Sequence, residues 1–207
     1  MDTKLVSAKL TKADRRKAIV ETAAQLFAEV GFRGGTTREL AKRCGVSEPV
    51  LYEHFQTKSE LYAAIIDASS QHGFEEGRDD LERLASGYDA HAFFTRLANL
   101  IVDFQAKHPN YLRLILFSAL EKHELSEHFF ECHGQVIHRI VAGFIKQQTA
   151  LGAFRPVDAA LVARGFMGMV LHYSLFDQHF GFKLVRASRK RAVDSMVDIF
   201  LHGLKTQ

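Results

Sequence analysis

The sequence predicts an all-α protein in two parts, a compact N-terminal three-helix domain and a larger helical domain behind it. Three observations lead there. Only three prolines interrupt 207 residues that are otherwise rich in Ala, Leu, Glu, Arg and Lys, the strong helix formers. Apolar residues recur at three- and four-residue spacing along most of the chain, the period of a helix face. Hydroxyl residues that can cap a helix stand three positions ahead of acidic ones at Thr11/Asp14, Thr36/Glu39 and Thr57/Glu60.

Bulk properties narrow the class. Hydrophobic residues make up 47% and charged ones 25%, ordinary values for a globular protein with a buried core. No apolar run approaches the roughly 18 residues of a membrane span, and no signal-peptide pattern opens the chain. The expectation is a cytoplasmic protein with no membrane partner. Two cysteines, Cys44 and Cys132, do not form a disulfide framework. The formal charge of +3 is unevenly placed: residues 1–66 carry 11 Lys and Arg against 8 Asp and Glu, while residues 67–207 carry 16 of each. A basic head on a neutral remainder fits a head that meets phosphates.

Residues 1–10 read as a weakly basic, flexible arm. A first helix then runs from Thr11 to about Gly31, with Ile19, Ala23, Phe27 and Val30 on one face. Lys12, Arg15, Arg16 and Lys17 crowd its first turns, where cations oppose the helix dipole, so phosphate contact explains them better than folding does, a solvated charged face being the alternative for each. Gly31–Gly35 is a loop from which Phe32 plugs the small core. Next comes TTRELAKRCGVSEPVLYEHF, residues 36–55. Thr36 caps a short helix with Glu39 completing a capping box, Gly45 ends it, and Ser47 caps a second short helix carrying Val50, Leu51 and Phe55. Helix, glycine turn and helix make a helix-turn-helix, whose second helix enters the DNA major groove. Thr57 and Glu60 start a further helix with Leu61, Ile65 and Ile66, which leads out of this 11–66 domain and fades around Gly73 to Gly77.

The remainder, 67–207, shows helical patterning throughout. Phe93, Phe94, Leu97, Leu100, Ile101 and Phe104 mark one helix, stopped near His108-Pro109. Tyr111, Leu112, Leu114, Ile115 and Phe117 mark another, and Phe129 to about Ala150 a longer one. Pro156 suits the first turn of a helix over about 156–180, apolar on most sides. The last helix, about 187–204, carries Val193, Met196, Val197, Phe200 and Leu204.

Base edges are normally met by the N-terminal end of a recognition helix, here Ser47, Glu48 and Pro49. Glu48 can accept a hydrogen bond from cytosine N4, or simply stabilise the helix start. Pro49 and Val50 offer apolar surface to a thymine methyl. Thr37 and Arg38, in the first turn of the preceding helix, are candidate phosphate contacts. Lys58, beside the amides of the helix that Thr57 caps, makes an anion site with them.

The run GFRGGTTRELAKRCGVSEPVLYEHFQTKSELYAAII resembles the N-terminal domain of the TetR family of bacterial transcriptional regulators. The likeness rests on a first helix ending in Gly-Phe, a Thr-Thr start, Leu-Ala followed by Gly-Val-Ser, then Leu51-Tyr52, His54-Phe55 and Lys58 in register. It covers about residues 10–66. The resemblance implies that Tyr52 and His54 contact phosphate, as their donor groups allow. It implies a homodimer on a palindromic double-stranded DNA operator, joined through the last two helices, where Gly165 and Gly168 permit close approach or simply cost helix stability. It also implies repression relieved by a small-molecule effector in the second domain. Phe93, Leu97, Phe117, Phe144, Phe166 and Tyr173 are candidate lining residues, core packing being the alternative for each. Glu48 and the doubled Gly34-Gly35 depart from the family pattern and leave the target sequence open.

Other chemistries find less support. Glu124, His128 and Cys132 share a helix face at four-residue spacing, with His123 and His133 nearby, a stripe able to hold a transition metal. There is no CxxC or HExxH motif, so no metal site and no cofactor are assigned. Cys44 reads as a small packed residue rather than a redox sensor. No nucleophile–base order, glycine-rich phosphate loop or paired-carboxylate motif suggests an enzyme. A DNA-binding structural or nucleoid-associated protein without effector, and a metal- or redox-responsive regulator through His128 and Cys132, are the competing readings.

Overall fold

The structure, a computed structural model, describes residues 11–70, 74–122, 124–182 and 185–206, with the side chains of 32, 33, 69, 70, 74–76, 124, 125, 128 and 132 excepted. The predicted arm, the Phe32 core plug and the His123, Glu124, His128 and Cys132 side chains therefore lie outside the described residues. Among those described there is no strand, and a lone antiparallel bridge joins Phe154 to Lys205.

α1 (Lys12–Gly34) opens with both halves of a capping box: the Thr11 hydroxyl accepts from the Asp14 amide at 3.1 Å, and Asp14 accepts from the Thr11 amide at 3.3 Å. Its helical geometry breaks at Gly31, where φ of 71° calls for glycine, so the regular helix ends where the sequence suggests. Ile19, Ala23, Leu26 and Phe27 are buried, but Val30, which spacing puts on the same face, is 47% exposed. α2 (Thr37–Cys44), α3 (Glu48–His54) and α4 (Lys58–Ser70) pack Leu40, Leu51, Leu61, Ile65 and Ile66 against that face. Phe27 and Tyr62 meet edge to face at 5.1 Å.

This core does not stop at the end of α4. α7 (Pro109–Leu120) lies along α1 and contributes Tyr111, Leu114 and Ile115 to it, each at most 5% exposed. Burial of side chains this size contributes about 1.5–3 kcal/mol apiece. The approach is close: a methyl on Gly31 would lie 2.9 Å from Oε1 of Glu121, just past α7.

The second core belongs to the body. α5 (Phe74–Ala85) is a helix the sequence reading lacks, because Gly77 and a run of charged residues mask its buried contacts. Leu81 is fully buried, and a Cβ on Gly77 would strike Leu100 at 2.1 Å. α6 (Ala90–Lys107) starts at Asp89, whose carboxylate accepts from the Ala92 amide at 2.9 Å. α8 (Glu124–Phe129) runs through a π-helical segment, Phe130–Gly134, into α9 (Gln135–Ala150). α10 (Ala159–Ser174) continues as a second π-helical segment, Leu175–His179. Pro156 precedes α10 rather than opening it; Asp158 is the cap, accepting from the amides of Ala160 and Leu161 at 3.0 and 3.1 Å. α11 (Arg189–Leu204) is pinned to α6 by Arg189, which donates to Asp103 at 2.7 Å and to Asn99 Oδ1 at 3.0 Å. That guanidinium holds the Asp103 carboxyl below its usual range.

Aromatic packing fills the body. Phe93 stacks on Phe144 with centroids 4.1 Å apart, and Phe94 meets Phe166 and Phe200 at 4.8 and 4.9 Å. One expectation needs correction. Ala159–His179 does have the length and mean hydropathy (1.3) of a membrane span, and 28% of its most apolar stretch is buried within the protein. Its outward stripe holds Leu161, Gly165, Gly168 and Leu171, with the two leucines 66% and 40% exposed and nothing near either glycine.

Candidate DNA interface and cavity

The turn between α2 and α3 is built by Gly45. Its φ of 66° and ψ of 29° are left-handed, and its amide bonds back to Lys42 while the Val46 amide reaches the Ala41 carbonyl at 3.0 Å. These two bonds complete a Schellman motif, which ends α2 and swings the chain into α3. Thr36 caps α2 through the Glu39 amide at 3.1 Å. Glu39 itself turns to Arg43 at 3.4 Å, and Arg43 reaches Glu29 of α1 at 2.6 Å. That pairing holds the Glu29 carboxyl below its usual range and ties α2 to α1.

The predicted contacts divide by exposure. Arg38, Ser47, Pro49, Tyr52 and Lys58 are exposed, Tyr52 by 47%. Ser47 occupies the N-cap position of α3, but its hydroxyl makes no capping bond, contrary to the expectation of a side-chain cap. Glu48 is half-buried and accepts from the Thr37 hydroxyl at 3.2 Å, a bond that links α2 to α3 across the turn. Lys58 donates to the Gly35 carbonyl at 3.2 Å, and Thr57 caps α4 through the Glu60 amide at 3.1 Å. His54 departs from expectation. It is 9% exposed at the last position of α3, with Nδ1 enclosed.

Arg16 also has a role that its sequence position conceals. It donates to the His54 carbonyl, pairs with Glu60 at 3.3 Å, and lies 4.0 Å over the Phe55 ring. The guanidinium thus closes the exit of α3 against α1 and α4, combining a charge-assisted hydrogen bond with a cation–π contact. Arg16→Ala is expected to lower the stability of the head by about 1–2 kcal/mol, after discounting the half-exposed ion pair. Urea titration followed by circular dichroism checks it, and an unchanged midpoint would show the clamp to be idle.

Behind the head, a cavity of about 380 Å³ opens between α6, α7, α9 and α10. α6 supplies Ile101, Phe104 and Gln105, and α7 supplies Leu112, Ile115 and Leu116. Both π-helical segments border it, through Phe130 and His133 on one side and Leu175 on the other. Such segments recur at functional sites, where the extra residue redirects side chains.

None of the six lining residues expected from the sequence touches this cavity. Phe93, Leu97, Phe144 and Phe166 are at most 1% exposed and fill the body core; Phe117 packs on the head core and Tyr173 on the body core. The most apolar positions close up against one another. Walls come from other rows of the same helices, half-buried positions such as Ile101 and Leu112 together with buried ones such as Gln105 and Ile115. The missed signal was Gln105, a polar residue on the buried stripe of α6 that also holds Phe94 and Ala98.

Among the described residues no cluster of three metal-ligating side chains occurs. Burial pushes the Cys44 thiol above its usual range, which suits a packed residue and disfavours the reactive thiolate.

A family model described as bacterial regulatory proteins of the tetR family matches residues 19–65. Another, described as the C-terminal domain of AefR-like transcriptional repressors, matches residues 92–203. The tetracycline repressor protein class C of Escherichia coli is 43% identical over 68 residues, which is 32% of this chain and 31% of that protein. The nucleoid occlusion factor SlmA of Vibrio atlanticus (strain LGP32) is 25% identical over 169 residues, 77% of this chain and 81% of that one. AibR, solved in complex with isovaleryl coenzyme A and operator DNA, shares the fold with a TM-score of 0.68 at 24% identity, covering 89% of this chain and 97% of its own. The head match spans the α2–α3 turn and the body match spans every wall of the cavity. The chain belongs to the TetR family of bacterial regulatory proteins, as a DNA-binding helix-turn-helix regulator of transcription.

Proposed function

We propose that the protein is a homodimeric repressor that binds a palindromic operator and is released by a small apolar effector held in the cavity. The observation that carries this reading is the position of α7. One face of it, with Tyr111, Leu114 and Ile115, completes the core of the head, while Leu112, Ile115 and Leu116 wall the cavity. An occupant that shifts α7 shifts the head with it, and a ligand preferring one head separation moves the population towards it. The outward stripe of α10, continued by Ile199 of α11 at 70% exposure, is apolar surface suited to a second copy. Two heads across a two-fold axis then meet two half-sites, which one seven-residue α3 cannot do with useful affinity. Residence in the cytoplasm, with no membrane partner and no catalytic role, follows from the same reading. The AibR complex, which holds both operator DNA and a ligand, is consistent with it.

Within the interface, Ser47, Glu48 and Pro49 are assigned to base readout, with Glu48 held by Thr37. Arg38, Tyr52 and Lys58 are assigned to phosphate. Fluorescence anisotropy on DNA enriched from genomic fragments tests this. The double variant Tyr52→Ala/Lys58→Ala is expected to bind every sequence more weakly, with the log–log salt slope smaller by about 0.9 for the one lost cation. Unchanged affinity and slope would sink the assignment. The likeness to the nucleoid occlusion factor favours a second reading, a chromosome-associated DNA binder without an effector. It predicts no ligand-dependent change in DNA affinity.

A further inference from the structure

The cavity wall carries a polar group whose oxygen has no hydrogen-bond partner. Gln105 is 3% exposed, and its Oε1 is buried and unbonded, so a ligand meets it only once the carboxamide turns towards the cavity. A buried carboxamide in that state is costly unless something comes to meet it, because the water it gave up on folding has not been replaced. The rest of the wall says what can come. Among its described residues there is no Lys, Arg, Asp or Glu. Tyr111 packs its ring edge-on against Phe104 and Phe129 at 5.5 and 5.7 Å, and its hydroxyl is buried. Of the two histidines, His133 packs beside Phe129 at 5.7 Å, and His172 is exposed and lies against Phe176 at 4.4 Å. An ionic head-group entering here would lose its hydration and find no fixed counter-charge.

We propose that the cavity selects a neutral, largely apolar molecule bearing a single hydroxyl or amide N–H, which donates to Gln105 Oε1. This rests on the reading of the cavity as the effector site and names the chemical class of its occupant. Size follows from volume. A cavity of roughly 150 Å³ holds benzene, so about 380 Å³ corresponds to roughly 15 non-hydrogen atoms. Apolar contact supplies the affinity, and the one hydrogen bond supplies the choice among molecules of equal size. A site that hydrogen-bonds its ligand discriminates against the analogue lacking the group because its own polar atom is then left unpaired.

Three fluorescent probes of nearly one shape test this: 1-naphthol, naphthalene and 1-naphthoate, titrated at pH 7 into the full-length protein and into Gln105→Leu. The wild type is expected to bind 1-naphthol at least about tenfold more tightly than 1-naphthoate. In Gln105→Leu, naphthalene should bind more tightly and 1-naphthol more weakly, moving their affinity ratio by roughly tenfold. Gln105→Met, which keeps the length of the side chain without its bonding atoms, is read alongside and should shift the ratio the same way. Naphthoate binding as well as naphthol would overturn the proposal. So would a ratio unmoved by both substitutions, the result expected if bound water or the fold alone serves Gln105. Either of these leaves the cavity as a ligand site and removes only the class assigned to it, whereas failure of all three probes to bind the wild type would overturn both.

Discussion

Phe144→Ala is expected to cost the protein about 3–5 kcal/mol and to lower its melting temperature by roughly 6–20 °C. Phe144 is 1% exposed, stacks on Phe93 at 4.1 Å with 19° between the rings, and meets Phe94 at 5.9 Å. Truncation removes a ring from the point where α6 and α9 press together, and its neighbours are rings that cannot fold into the gap. The loss therefore includes the cavity left behind as well as the transfer of the ring to water. Phe144→Leu, which keeps much of the volume, should cost markedly less. Chemical denaturation with circular dichroism and calorimetry checks the pair. A loss below about 1 kcal/mol for the alanine variant would mean that the ring is not packed as described.

The second large effect is expected on DNA. Leu161→Glu combined with Ile199→Glu places two carboxylates on the outward face of α10 and α11. Both leucine and isoleucine are exposed in the protomer, 66% and 70%, so each protomer should fold with a change within about 0.5 kcal/mol per site. Across a two-fold axis the same charges would face their own copies and lose their water. Sedimentation should show a monomer, and operator affinity should fall by roughly 10²–10⁴ as the second head loses its tether. A dimer that persists with its affinity intact would place the subunit contact elsewhere.

Local signals in the sequence translated well. The caps at Thr11, Thr36 and Thr57 stand where their side chains can reach amides three residues on, and Gly45 turns the chain in the only backbone region where it is needed. Such features depend on a few neighbouring residues. What the sequence concealed depends on distant ones. Arg16 reads as one of four exposed cations until α3 and α4 bring a carbonyl, a carboxylate and a ring around it. His54 reads as an exposed residue of the recognition helix, yet it is buried at the end of α3. Pro156 looks like a helix start, yet the carboxylate of Asp158 has two amides to accept from and takes the position. The six candidate lining residues lie away from the cavity for a related reason. Hydrophobicity alone does not separate the rings that fill the body core, such as Phe93 and Phe144, from the Ile, Leu and Phe residues that wall the cavity.

The contact of α7 with α1 bears on how such regulators can diversify. A head cut away after α4 would leave Tyr62, Ile65 and Ile66 without the Tyr111, Leu114 and Ile115 surface that covers them. The DNA-reading part is therefore not an interchangeable cassette. A hybrid that sets this head on a relative's body has to carry residues 109–120 along, or match them at the seam. Substitutions on the cavity side of α7 are in turn constrained by the head core that the same helix completes, so the cavity and the head cannot change independently in this chain.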